Sequence, residues 1–242
     1  MGAIVSRLRH GLLGAFLTCL IGLPSHGEAA RDSQAAARAF VIGLSSEIVL
    51  LLTSETSVTA RENRLSLLLR HALDLEVIAR TVIGNHWKEA TPGQREIYRT
   101  LFADFVTRTY ARQLAKHEVT SFSILSVDAA ANGDAVVAEH IERPDGPPLS
   151  LGFRVRTGPK ESKIVDISAE GVSMVLTQRS DFAAFVQREG FDALVEALRE
   201  KLSKMDHAEE SANRHTGGGN LQATSATGMM ARKRRATLRD RT

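Results

Sequence analysis

Apolar residues recur along this chain first at helical spacing, then at alternate positions, then at helical spacing again. Ala36, Phe40, Leu44, Ile48, Leu51 and Leu52 predict a helix over 33–53. Thr59-x-x-Glu62 has the form of a capping box before a second helix with Leu65, Leu68, Leu69 and Ala72 on its apolar face. Asp74 is placed to cap a short third helix carrying Val77, Ile78 and Val82, with Gly84 at its end. Thr91-Pro92-Gly93-Gln94 is the clearest helix start: a cap residue, proline at the first helical position and Gln three after the cap. The helix it opens reaches about Leu114. It carries two adjacent apolar rows, Ile97-Leu101-Phe105 and Tyr98-Phe102-Val106-Tyr110. That arc is wider than one partner surface needs. Either the helix is central and touches two neighbours, or one row faces an internal cavity.

After Lys116 the period changes to two. Residues 119–127, 134–141, 149–156 and 163–168 are short runs rich in β-branched or apolar residues, separated by turn residues. Asn132-Gly133-Asp134 is a hairpin-type turn, and Pro144 to Pro148 forms a longer one. Four consecutive strands with tight turns predict an antiparallel meander. In the third, Leu149, Leu151, Phe153 and Val155 point one way; Ser150, Gly152, Arg154 and Arg156 point the other. Helical spacing returns over Val172–Glu189, stopped by Gly190, and again where Asp192 can cap a helix bearing Leu194, Val195, Leu198 and Leu202. The fold class that follows is α+β, a four-stranded antiparallel sheet packed against a set of helices.

The two ends differ from this middle. Arg7 and Arg9 precede an apolar stretch over 11–23, then Pro24 and small residues, with Gly27-Glu28-Ala29 as a cleavage-type site. Residues 1–29 therefore read as a secretory signal peptide. The apolar stretch is short for a membrane span. Cys19, the single cysteine, lies inside it, so the domain needs no disulfide and suits an oxidising compartment. Residues 30–204 form the expected domain, and 205–242 an expected disordered basic tail containing Gly217-Gly218-Gly219 and Arg232-Lys233-Arg234-Arg235.

Charge follows the same division. The whole chain carries a formal +3, but residues 30–204 hold 22 basic and 23 acidic residues. A neutral domain without a basic stripe argues against nucleic-acid binding. Motifs for metal, nucleotide or nucleophilic chemistry are missing: no C-x-x-C, H-E-x-x-H, Walker loop, G-x-G-x-x-G or G-x-S-x-G. His71, His86, His117 and His140 lie on different elements, and Ser173 is better placed as a helix cap than as a nucleophile. No cofactor or metal is expected. What remains is an aliphatic interior, in a chain with only nine Phe, two Tyr and one Trp, better suited to flexible acyl chains than to flat rings.

Read together, several stretches resemble one family. They are Asp74, Val82-Ile83-Gly84 with Trp87, Gln94-Arg95 leading to Phe102, Phe105 and Tyr110, then Asp166, Glu170-Gly171-Val172-Ser173, Arg179, Phe182 and Gly190. Their order and spacing resemble the MlaC family of periplasmic lipid-binding proteins, which serve outer-membrane lipid-asymmetry and toluene-tolerance transport systems. The likeness covers about residues 36–202. It implies a deep hydrophobic lipid pocket, no enzyme activity and a monomer in the periplasm. It also implies shuttling of phospholipid between an outer-membrane lipoprotein-porin complex and the substrate-binding subunit of an inner-membrane ABC transporter complex. The chain departs from the family at Ser162-Lys163, where Trp is frequent, and in its long basic tail.

On that resemblance the expected lipid-binding residues are Phe102, Phe105 and Tyr110 from the long helix, Leu149, Leu151 and Phe153 from the third strand, and Val172 from the strand-to-helix corner that Glu170-Gly171 forms after the fourth strand. A pocket for a two-chain lipid is expected at or above the large end of the usual ~300–1,000 Å³ range. Two other classes stay open. A small hydrolase or isomerase would show a convergent polar trio in a cavity. A chaperone or scaffold would show a packed interior and exposed apolar surface.

Overall fold

The structure, a computed structural model, describes residues 26–144 and 146–211. The helices are α1 (His26–Ser54), α2 (Val58–Ala72), α3 (Leu75–Ile83), α4 (His86–Glu89), α5 (Pro92–Leu114) and α6 (Met174–Glu189). A seventh, α7, runs from residue 191 to residue 211. The strands are β1 (Ser121–Ala129), β2 (Ala135–Glu142), β3 (Leu149–Thr157), β4 (Ser162–Ala169) and β5 (Val172–Ser173). They form one antiparallel sheet in sequential order. The expected α+β class holds, but the sheet has five strands rather than four.

The extra strand comes from a reversal that periodicity does not reveal. Glu170 and Gly171 both adopt positive φ, 49° and 79°, which folds the chain back within two residues. Val172 then pairs with Ala169, and Ser173 with Ser168. Glu170 is anchored in that unusual conformation by Ser150: its N–H donates to the Ser150 carbonyl at 2.9 Å, and its carboxylate accepts from the Ser150 N–H at 2.8 Å. The helix assigned from Val172 therefore begins at Met174.

Local caps explain most boundaries. Asp74 accepts from the Val77 N–H at 3.0 Å, and Gly84 ends α3 at φ 58°. At α5 both halves of the Thr91–Gln94 capping box form. Two expected caps shift. Ser57, not Thr59, caps α2 by accepting from the Ala60 N–H. Asp192 lies within the first turn of α7, where its carboxylate accepts from Gln94 Nε2 at 2.7 Å and ties α7 to the start of α5. The last helix also extends beyond the expected residue 204. Its final turns are clamped by ion pairs from Arg108 to Asp206 and Glu209, and from Arg112 to Glu209. Residues 1–25 and 212–242, with most of the expected signal and tail, lie outside the described residues.

α1 packs across β1 to β4, α2 lies on α5, and α3 lies on α6. By length and composition α1 could cross a membrane. In this fold its Ala37, Val41, Leu44, Leu51 and Leu52 are buried in the core instead. A second part of the core is aromatic: Tyr98, Phe102 and Phe182 meet at 5.5–6.5 Å between ring centroids, joined by Phe191. The Tyr98 hydroxyl donates to the Ala79 carbonyl, and burial raises its pKa. All four apolar residues expected on α7 are buried.

Candidate functional site

Between α1, the sheet and helices α5 and α6 lies an apolar cavity of about 310 Å³. Five elements supply most of its wall. From α1 come Leu44, Ser45, Ile48 and Val49. From α5 come Phe102, Val106, Tyr110, Gln113 and Leu114. β3 contributes Leu149, Leu151 and Phe153, the same-side positions of its alternation. β4 and α6 add Ile164, Ile167, Ala169, Met174 and Val175.

The strand ends give the cavity a direction. The end of β2, the start of β3 and the end of β4 lie together, because each pair is antiparallel. At this end Gln113 and His117 are exposed, while Leu149, Arg143 and Gln178 are half-buried. At the other end Leu69, Leu73, Ile78, Val82, Phe102, Phe153 and Ile164 are all buried and form a floor. The site is a pouch, open at a rim with polar groups and closed by aliphatic and aromatic side chains.

Five of the seven expected residues meet here: Phe102, Tyr110, Leu149, Leu151 and Phe153. Two do not. Phe105 is buried, but its ring faces α7, with Lys201 Nζ 5.1 Å from its centroid. It belongs to the row of α5 next to the one that meets the cavity. Val172 is 58% exposed and absent from the lining. Alternation in the short β5 strand turns Ser173 inward toward Asp166 and Val172 outward. The cavity volume also falls at the small end of the range for small-molecule sites, not the large end expected.

The lining includes residues the sequence reading did not single out, above all Ser45 and Glu139. Glu139 is 1% exposed and sits on the inward face of β2 between Val137 and Ile141. Its carboxyl oxygens lie 3.0 and 2.9 Å from Ser45 Oγ. Burial pushes its pKa up to about 7, against a smaller downward pull from the Ser45 hydrogen bond. An acidic residue at an inward position of an alternating strand was a readable signal. Its partner, 94 residues earlier on a helix, was not. Asp166 also borders the cavity; it accepts from the Ser173 hydroxyl at 2.6 Å and the Val175 N–H at 3.2 Å. Burial, and then the charge of Asp166, raise the Tyr110 pKa.

Ser45, Glu139 and Asp166 are each engaged in hydrogen bonds within the fold. The Ser45 hydroxyl meets a carboxyl, not an imidazole. Asp166 is committed to holding the start of α6. Among the described residues no group of three or more His, Cys, Asp or Glu could hold a metal ion. A second depression of about 340 Å³ between α2, α5 and α7 is lined mostly by polar and charged residues and crossed by the Arg108 and Arg112 ion pairs. Of the two depressions, the pouch has the more apolar lining.

The chain is similar to known proteins in sequence and in fold. The family model described as MlaC protein matches residues 47–200. The chain is 24% identical over 136 residues to the intermembrane phospholipid transport system binding protein MlaC of Haemophilus influenzae. The match covers 54% of this chain and 64% of that relative's length. Among solved structures, the fold is similar to the phospholipid-binding protein from Ralstonia solanacearum in complex with a phospholipid. The TM-score is 0.60 at 24% identity, over 72% of this chain and 98% of that one.

Proposed function

Because the chain belongs to the MlaC family, we propose that it is a periplasmic carrier that takes phospholipid into the apolar pouch and releases it without chemical change. The observation that carries this reading is the pouch itself: a rim with polar groups, and a floor of buried Leu, Ile, Val and Phe built from α2, α3, α5, β3 and β4. A packed interior would have favoured a scaffold.

The energetics define what such a pouch must do. A two-chain lipid exposes roughly 30 methylenes, each costing about 0.8 kcal/mol in water. Free diffusion between membranes is then negligible. A carrier need only match the apolarity of a bilayer, so that loading and unloading stay near balance and the partners set direction. The partners in this reading are the outer-membrane lipoprotein-porin complex and the substrate-binding subunit of the inner-membrane ABC transporter complex. At about 310 Å³ the pouch is small for two full chains, so loading in this reading widens it at the rim, where Arg143, Leu149 and Gln178 are half-buried.

Mass spectrometry of organic extracts from the purified protein tests the reading. Stoichiometric phospholipid is the expected result. Lipid-free protein that also fails to take up phospholipid from vesicles would overturn it.

A further inference from the structure

Two acids border the pouch, and their hydrogen bonding differs. Asp166 has a donor for each oxygen, the Ser173 hydroxyl for one and the Val175 N–H for the other. Among the described residues, Glu139 has only the Ser45 hydroxyl in hydrogen-bond contact with its two oxygens. A hydroxyl carries one hydrogen, so the ionised group leaves one oxygen without a donor, and in the neutral group the carboxyl hydrogen has either Ser45 Oγ or an acceptor in the cavity to bond. Buried polar groups are rarely left this way, because the missing bond costs free energy. Here the unfilled capacity borders a cavity whose lining includes Leu44, Ile48, Ile141 and Leu151.

We propose that Glu139, held in place by Ser45, donates a hydrogen bond to an ester carbonyl of an acylglycerol lipid inside the pouch. The inference rests on the carrier reading above. Position supports it: Glu139 lies two residues inward of Ile141, roughly 7 Å along the strand. Its cross-strand partner is Leu151, which lies between Leu149 near the rim and Phe153 at the floor. The first oxygens below a lipid headgroup are ester carbonyls, which only accept hydrogen bonds. A carboxylate cannot serve them, whereas a neutral carboxyl can. Burial favours that neutral form, with a pKa near 7, and an acyl chain beside it excludes more water.

The groups that could confuse a pH response are few. α1 brings only Ser45 among polar side chains to the lining. Among the described residues β3 brings none, and no β1 residue lines the pouch. The other charged or titratable groups there are Tyr110 on α5, His117 after it, Arg143 past β2 and Asp166 on β4.

The test is competitive loading from vesicles holding equal amounts of a diacyl phospholipid and its dialkyl ether analogue, with matched chains and headgroup. The protein is then isolated and its lipid measured by mass spectrometry. At pH 6 the native protein should favour the ester lipid by about fivefold, as one net hydrogen bond allows; at pH 9 the preference should fade. Glu139→Gln keeps an N–H donor and should hold the preference at both pH values. Glu139→Leu should load lipid without preference. His117→Gln should retain the native pH response. Equal uptake of both lipids by the native protein at pH 6, or an unchanged preference in Glu139→Leu, would overturn the inference and leave the carrier reading standing. No uptake of either lipid would overturn both.

Discussion

The Ser173 hydroxyl donates to Asp166 Oδ2 across 2.6 Å and accepts from the Leu176 N–H at 3.1 Å. One side chain thus caps α6 and ties it to β4, next to the wall of the pouch. The Asp166 carboxylate completes the joint by accepting from the Val175 N–H at the positive end of the helix.

Ser173→Ala should cost about 1–2 kcal/mol, because the cap is lost and a partly buried carboxylate oxygen loses its donor. Ser173→Thr should recover most of this. In a double-mutant cycle with Asp166→Asn, urea unfolding should show a coupling of about 1 kcal/mol. Additive effects would mean that the two residues act separately.

Stability should also report on Glu139. Its folded pKa, about 7, lies above the ordinary 4.5. The neutral form is thus favoured on folding. Its contribution is fully present below pH ~4.5 and is lost as pH rises through about 7. Glu139→Gln removes this titration. Against the native protein it should be more stable by up to about 3 kcal/mol at pH 8, and similar at pH 4. Urea unfolding at both pH values checks the sign; equal differences at the two would exclude it.

Gly152 lies where β3 meets β4. A Cβ there would sit 2.5 Å from Ser168 Oγ, which itself donates to the Gly152 carbonyl. Gly152→Ala should destabilise by about 1–3 kcal/mol. Adding Ser168→Ala should restore much of that, measured by thermal unfolding of the single and double variants.

Cargo loss should depend on which face carries a new charge. Leu151 lines the pouch, and a carboxylate there would be costly beside acyl chains. Leu151→Glu should lose co-purifying lipid. Val172→Glu, on an exposed position outside the lining, should keep it. Lipid extracts of both, with circular dichroism to confirm folding, make the comparison. Retention by Leu151→Glu would remove β3 from the lipid site.

Much of this protein is legible in its sequence, because caps, turns and periodicity act over a few residues. Thr91 to Gln94 dictates the start of α5, Asp74 and Gly84 bound α3, and alternation in Leu149 to Val155 sets the inward face of β3. The aliphatic lining and the family resemblance come from the same signals. Other features required the assembled fold. Which of two apolar rows on α5 meets the void depends on where α7 lies, so Phe102 and Tyr110 line the pouch while Phe105 packs under Lys201. The two-residue β5 depends on Glu170 taking a left-handed backbone that Ser150 holds in place, and it turns Val172 outward. Ser45 and Glu139 meet only because α1 crosses the sheet, and no periodic pattern links residues 94 positions apart. Local chemistry determined the elements; their packing decided which faces enclose the cavity, because burial belongs to the assembled surfaces rather than to any one segment.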